Sequence, residues 1–459
     1  MNSLLAFSDV MKNVGGVLAA VAVLLAMVTI HEFGHYFAGK LLGFKINEFS
    51  VGFGPAVFKK RSKKTGELFA VRVIPLGGYC AFDGEDDTEE DKGQKKDGEQ
   101  AAAEKKGAAA KNGNEGDGKE IFLNESARAA VKTEGAEAED FASEGKTEGV
   151  EAKKSEAREE KNYPEPTGIK FNDQPPWKRI IVLLAGAVMN YLLGLLLIFV
   201  MFLSVGRPVY TVVKEKPEEE ETAAVTHTIQ PLSSGEGGDA KAADTLETGD
   251  VILRVEGRKT YLITDYLAAL KGKNAGDIAE ITVLRQENGV PVEKTLRIVL
   301  AVSSEEFDSL TKTGYMVRAL GVYALAPLSL KTGLGEKIGD SFVYSVKEAG
   351  MVLSSLGQLL TGKIGIKSMG GPITTIRVTS QQATSGWQNF LNIASFIGVN
   401  LAVFNLLPVP ALDGSKIVFC IIEWIRKKPI NRKVEATIHF IGIIVLFAFA
   451  ILVDVLQLF

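Results

Sequence analysis

The sequence predicts a polytopic α-helical membrane protein with about four transmembrane helices, a membrane-associated β-hairpin region and one extracytoplasmic α+β domain. Three observations carry this expectation. Four stretches are apolar over the length of a bilayer crossing: Val14 to about Ile30, Ile180–Gly206, Phe390–Leu412 and Ile438–Phe459. Lysines and arginines gather in the loops between the first and second stretches and between the third and fourth. Short β-prone runs punctuated by glycine, asparagine and proline lie between the second and third.

Composition narrows the class further. The chain has 459 residues, room for two or three domains. Its 46% hydrophobic and 24% charged content looks like a soluble average only because the apolar residues are concentrated in a few spans. A net charge of −4, with no basic stripe away from the membrane flanks, points to no nucleic-acid partner. The two cysteines, Cys80 and Cys420, are far apart and form no CxxC, which argues against a disulfide framework or a thiolate zinc site.

Residues 1–82 hold the first span and a β-prone hairpin region. A cleavable signal peptide would need small residues at a cleavage site where "HEFGH" stands (His31–His35). Beyond the span, Glu48–Phe53 and Leu68–Ile74 read as hairpin strands, part of which lie at membrane depth where protein must shield them. Residues 83–166 are rich in Glu, Lys, Ala and Gly and poor in large apolar side chains, so a disordered cytoplasmic insert is expected. An isolated charged helix is the alternative, weakened by scattered glycines. Residues 167–206 carry the second span.

Orientation follows from the cations. Lys59, Lys60, Arg61, Lys63, Lys64, Lys178 and Arg179 lie in the first of the two cation-rich loops, and Arg426, Lys427, Lys428, Arg432 and Lys433 in the other. Both loops are expected in the cytoplasm, with both termini and the long 207–389 region outside a cell membrane.

Residues 207–302 form the compact outer domain. "TLETGDVILRVEGRKTYLITDYLAAL" reads as strand, turn and a short helix starting near Ile263 to Asp265, and "IAEITVLRQENGVPVEKTLRIVL" as a hairpin turning at "ENGV". A Gly-Asp pair entering an apolar strand that ends in Glu-Gly resembles the PDZ domain, with Gly249, Asp250, Val251, Ile252, Val255 and Gly257 at matching places. No carboxylate-binding loop is visible, so the resemblance implies the fold more firmly than peptide binding. Residues 303–389 are an amphipathic linker region. Within it, Lys337–Leu360 has helical spacing and fits either an amphipathic helix at the outer membrane surface or a core helix of the outer domain. Residues 390–459 carry the third and fourth spans.

The chemistry sits where the first span ends. A helix advances about 100° per residue, so His31 and His35 stand about 40° apart on one face, one turn apart. Both imidazoles can then reach one metal ion, with Glu32 beside it as a general base, the logic of HExxH. The chain has only two other histidines, His227 and His439. His227 falls in the outer domain, and His439 opens the fourth span as a fallback ligand. Zinc in a hydrolase takes a third protein ligand and keeps one open position. Asp413, in "NLLPVPALDGSK" at the cytoplasmic end of the third span, matches HEFGH in depth because both spans run outward to inward. A His, His, carboxylate set also suits iron or cobalt.

With these residues in hand, the sequence resembles the site-2 protease family of intramembrane zinc metalloproteases, in its bacterial PDZ-containing branch. HEFGH matches the first family motif and "NLLPVPALDG" (Asn405–Gly414) the second, with Asp413 at the third-ligand position. "FSVGFGP" (Phe49–Pro55), "PLGGY" (Pro75–Tyr79), "GGP" (Gly370–Pro372) and "IHFIG" (Ile438–Gly442) add weaker matches. Ser415 stands where the family usually has a second glycine, and Gly186-Ala187 where it favours Gly-Pro, with Asn190 still in place. Neither departure removes a ligand or the base.

The resemblance implies a zinc metalloendopeptidase: Zn2+ held by His31, His35 and Asp413, and Glu32 moving the proton of the attacking water. It further implies substrates that are transmembrane segments of proteins already trimmed outside by another protease, such as anti-sigma factors or remnant signal peptides, with the outer domain excluding uncut ones. A substrate helix must unwind to expose its peptide bond. The Leu68–Tyr79 strand, with Gly77 and Gly78, offers an edge for pairing. Asn405, ahead of Pro408 and Pro410, has an amide to hold the unwound backbone, or equally to bond another helix. Two other readings compete. A zincin with its site in a cytoplasmic domain lacks a folded segment to supply the third ligand. A noncatalytic PDZ-containing membrane scaffold gives no reason for ionisable residues on two spans at one depth.

Overall fold

The computed structural model describes residues 2–85, 163–214, 244–302, 312–366 and 369–458. The expected disordered insert lies, over residues 86–162, outside the described residues. The chain divides into two compact units, one of residues 1–31, 186–407 and 446–459, the other of residues 32–185 and 408–445.

Helix α1 (Asn2–Leu41) runs unbroken through the HEFGH motif, longer than the expected span, because nothing from Asn13 to Leu41 breaks it. In the second unit it meets strands β1 (Ile46–Arg61) and β2 (Leu68–Phe82), which pair antiparallel with repeated register shifts. Glu48, Phe49, Ser50 and Val51 lie opposite Ala81, Cys80, Tyr79 and Gly78, and also opposite Leu68, Phe69, Ala70 and Val71. The 48–51 run is therefore flanked on both sides, leaving 78–82 and 56–61 as outer segments. Gly52 permits the bend: its φ is +87°, and a Cβ there would lie 2.7 Å from the Ile74 carbonyl oxygen. The Arg72 guanidinium ties the folded strands by donating to Ser50 Oγ (2.8 Å), Glu48 Oε1 (2.6 Å) and the Gly54 carbonyl (2.7 Å). The aromatic rings of Phe44, Phe82 and Phe171 pack together with Ile46, Val182, Leu183 and Cys420 as this unit's core. Phe53, Val57, Phe58, Val71, Val73 and Ile74 stay exposed.

Helix α2 (Pro176–Ser204) follows a short 3-10 turn at Phe171–Asp173 and opens with proline at its first position, where the missing N–H costs nothing. It ends at Ser204, and past Gly206, whose φ is +115°, the chain enters β3 (Arg207–Val213). Strands β4 (Val251–Val255), β5 (Arg258–Lys259), β6 (Ile278–Glu287) and β7 (Val290–Val299) and helix α3 (Ile263–Leu270) follow. Asn288 and Gly289 both have positive φ, the pairing that a tight hairpin between β6 and β7 needs. Ala279, Ile281 and Val283 alternate inward along β6, over Val212, Ile252, Tyr266, Leu270 and Leu296.

This domain does not close at residue 302. Helix α4 (Lys312–Ala319) adds Met316 and Ala319 to the same core, and β8 (Ala324–Leu330) pairs with β3 along its whole length, Arg207 opposite Leu330 and Val213 opposite Ala324. The sheet order is β7-β6-β4-β3-β8, with β5 beside β4, and every pairing is antiparallel. Without β8, the edge of β3 would expose its main-chain hydrogen-bonding groups.

Helix α5 (Leu334–Leu360) belongs to neither of its expected settings alone. One face is polar and buried. Asp340 accepts from Lys259 Nζ (2.8 Å) and Tyr261 Oη (2.8 Å) of the sheet domain and faces Arg207. Farther along, Ser345 Oγ meets Tyr191 Oη of α2 at 2.8 Å, and Tyr344 donates to Asn392 Oδ1 (3.2 Å). Helix α6 (Pro372–Thr384) comes next, its N-terminal amides at Ile373 and Thr374 donating to the Asp454 carboxylate.

The third apolar stretch also differs from expectation. Helix α7 (Trp387–Asn405) stops at Asn405 instead of reaching Leu412, and α8 (Asp413–Arg426) begins immediately after the turn. Pro408 and Pro410 remove two amide donors, which rules out a continuous helix there. Nineteen residues rise only about 28 Å. Among the described residues, three helices are long and apolar enough to cross a membrane: Asn13–Leu41, Pro176–Ser204 and Arg432–Gln457, the last within α9 (Arg432–Leu458). Helix α7 is instead buried on one side: a Cβ on Gly194 would meet Val399, and one on Gly398 would meet Asn190 and Met27.

Candidate active site

The HEFGH segment stays helical, so His31 and His35 occupy one face of α1, one turn apart, both buried. His35 Nδ1 lies 2.8 Å from the carbonyl oxygen of Val182 on α2. Donation to that oxygen puts the ring proton on Nδ1 and leaves the Nε2 lone pair for another partner. Nε2 points at Asp413 Oδ2, 3.3 Å away. Asp413 is the first residue of α8, where the helix N-terminus favours a carboxylate. Along the unbroken helix one turn earlier, His31 presents a second imidazole on the same face. Two imidazoles and one carboxylate are a donor set that suits zinc while leaving a coordination position open, and the tautomer of His35 fits the same use.

Two amides surround His31. Asn190 Nδ2 lies 3.4 Å from His31 Nδ1, and Asn405 Nδ2 lies 3.3 Å from Nδ1 and 3.4 Å from Nε2. Asn405, at the end of α7, thus bonds another helix, at His31 of α1. Asn190 carries no signal in its local sequence beyond its match to the family pattern. It is brought in because Gly194 and Gly398 let α2 and α7 approach closely.

Glu32 lies within electrostatic reach of both His35 and Cys80. Burial pushes the Cys80 thiol above its ordinary range, and the Glu32 charge adds to that rise. The outer 78–82 segment of β2 thus runs near the glutamate. Gly78 lies on that segment opposite Val51, and Gly77, at φ +103°, packs where any Cβ would strike the Phe53 ring. Pro408 is exposed in the turn after α7. His439 is not drawn into the ligand group: its Nδ1 accepts the Ala411 amide at 3.2 Å. His227 lies outside the described residues.

A second feature gives no local sequence signal. On α2, three residues before Val182, Arg179 pairs with Glu423 of α8, both nearly excluded from solvent. Glu423 also accepts the Ile430 amide (3.0 Å) and pairs with Arg432 (2.9 Å). The helix that orients His35 and the helix that begins with Asp413 are thereby joined by a buried ion pair.

Comparison with known proteins supports this chemistry. The model of peptidase family M50 matches residues 19–449. The chain is 27% identical over 467 residues to the "Regulator of sigma-W protease RasP" of Bacillus subtilis (strain 168), covering 97% of this chain and 99% of that protein. It is also 27% identical to the zinc metalloproteases RasP of Bacillus licheniformis, over 463 residues, and of Oceanobacillus iheyensis, over 466, each match covering 96% of this chain and 99% of the relative. A match of that extent, over a chain with helices long and apolar enough to cross a membrane, places it in peptidase family M50, as a zinc metalloprotease of the intramembrane-cleaving kind.

Proposed function

We propose that His31, His35 and Asp413 hold the zinc ion, that Glu32 is the general base, and that the substrate is an unwound membrane-spanning segment. The observation that carries this is the approach of His35 Nε2 to Asp413 Oδ2, 3.3 Å, with the other face of the ring held by Val182. Zinc, when bound, polarises the scissile carbonyl and makes the attacking water more acidic. Glu32 takes a proton from that water at a carboxylate oxygen and delivers it to the leaving nitrogen as the C–N bond breaks. Asn190 and Asn405 flank the His31 ring; with one ring nitrogen given to the metal the other carries a proton, which the side-chain carbonyl oxygen of either asparagine can accept, leaving an amide N–H for a substrate carbonyl. The 78–82 edge, with Gly77 and Gly78, accepts the unwound substrate as an added strand, and Pro408 keeps the turn beside it free of helix.

Topology and substrate extend the same reading. The short helix α7 acts as a fourth crossing, shielded by its neighbours despite its asparagines. The cation-rich loops face the cytoplasm and both termini lie outside. The α+β domain of residues 207–330 is a PDZ-like module whose Gly249-Asp250 turn precedes β4. By likeness to a relative named for sigma-W regulation, the substrate is a membrane-anchored regulator of a sigma factor, cut after another protease has removed its outer part.

The test is cleavage of a single-span reporter with a shortened outer domain, reconstituted with wild type or with Glu32→Gln. The variant is expected to keep its zinc and to lose cleavage by at least about a thousandfold. Equal cleavage by both forms would sink the assignment and leave a membrane scaffold.

A further inference from the structure

The turn that delivers Asp413 contains a conformation its residues do not favour. Ala411 has φ +83°, in the left-handed region that glycine occupies freely and alanine rarely does. Such a residue persists only where its surroundings hold it. Two features of α9 provide the hold. The Ala411 amide donates to His439 Nδ1 (3.2 Å), and Gly442, one turn farther along α9, lets that helix close on the neighbouring residue. A Cβ at Gly442 would lie 2.3 Å from Pro410 Cβ and 2.8 Å from its carbonyl carbon. The His439 ring is itself steadied edge-on against Phe419 of α8, centroids 5.8 Å apart. Around these contacts α9 is bare, with Phe440, Ile441, Ile443, Ile444 and Val445 all exposed.

We infer that His439 is a positioning residue for Asp413: its Nδ1 accepts the Ala411 amide and holds the left-handed turn that starts α8 with Asp413 at its first position. The inference rests on the assignment of Asp413 as a zinc ligand. It requires the ring to carry its proton on Nε2, because only an unprotonated Nδ1 can accept. It also accounts for a histidine at the start of an apolar helix without making it a ligand.

The experiment uses the full chain in detergent micelles and reads zinc affinity by competition with a chromophoric chelator, beside kcat and KM on the reporter. His439→Asn presents an acceptor near the position of Nδ1, whereas His439→Gln presents it near that of Nε2, and His439→Leu presents none. Gln and Leu are expected to weaken zinc binding and kcat by roughly 10–100-fold with KM little changed, and Asn to stay within about threefold of wild type. Ala411→Gly in the His439→Leu background is expected to recover most of the loss, since glycine adopts the turn unaided. Wild-type zinc affinity in His439→Leu would overturn the inference. So would equal loss in Asn and Gln, or no recovery from glycine. If His439→Leu does not fold, the Asn and Gln pair decides. Failure of the protease reading shows separately, as cleavage by Glu32→Gln, and leaves the zinc affinities readable.

Discussion

His35 Nδ1 and the carbonyl oxygen of Val182 stand 2.8 Å apart, so main chain rather than a side chain sets the orientation of one histidine in the site. That difference is measurable. Val182→Ala should lower thermal stability by about 1–3 kcal/mol, since the side chain is fully buried, yet leave zinc affinity of the folded protein within about threefold. His35→Ala should abolish stoichiometric zinc. Chelation should stop wild-type cleavage, and added zinc should restore it. A zinc affinity in Val182→Ala as poor as that of His35→Ala would contradict the main-chain role.

Asn190 should matter through His31. Its side chain is 1% exposed and its amide approaches the ring at 3.4 Å. Asn190→Leu removes the amide and fills similar space, so zinc affinity should fall about tenfold with the fold intact. Titration with a competing chelator reads the change, and an unaltered affinity would remove Asn190 from the site.

The buried pair of Arg179 and Glu423 predicts an unequal pair of variants. Glu423→Ala strands Arg179 and takes a partner from Arg432 and the Ile430 amide, which should cost about 3–5 kcal/mol. Arg179→Met leaves Glu423 with its other two partners and should cost clearly less. Thermal unfolding in detergent gives the order, and the reverse order would refute it.

Glu348, on the buried face of α5, gives a dependence on pH. Burial pushes its carboxyl up to about 8, against an ordinary 4.5, so the folded chain prefers it protonated. The unfolded chain loses that proton first. The stability associated with protonated Glu348 is therefore full below about pH 4.5 and is lost progressively as pH rises towards about 8. Glu348→Gln should flatten that slope in melting experiments across the interval. A slope identical to wild type would mean that another group causes it.

Much of the site is legible in the sequence because its signals are local. The four-residue spacing of His31 and His35 needs only helix periodicity, and the Asn288-Gly289 turn needs only the chemistry of positive φ. The features that escape are set by distant partners. No feature of residues 303–330 announces that Ala324–Leu330 will pair with Arg207–Val213, more than a hundred residues earlier, so a boundary at 302 falls short of the domain's end. The apolar run through Leu412 masks the end of the third helix at Asn405, although Pro408 and Pro410 forbid its continuation. The contacts of Val182 and Asn190 arise from the way α2 packs, which a single sequence does not display. The insert speaks only through its composition, and 86–162 lie outside the described residues.

Asp340 also bears on how freely the outer domain could be exchanged. It sits on α5, beyond the last strand of the sheet, yet Lys259 and Tyr261 direct their polar atoms to it and Arg207 faces it. A segment cut at residue 330 and grafted onto another membrane protein would carry a nearly buried arginine with no acid opposite it. Lys347, which pairs with Asp265 across the same boundary, would be left behind with the old host. The portable piece, in recombination or in chimera building, therefore runs from Arg207 through at least Lys347.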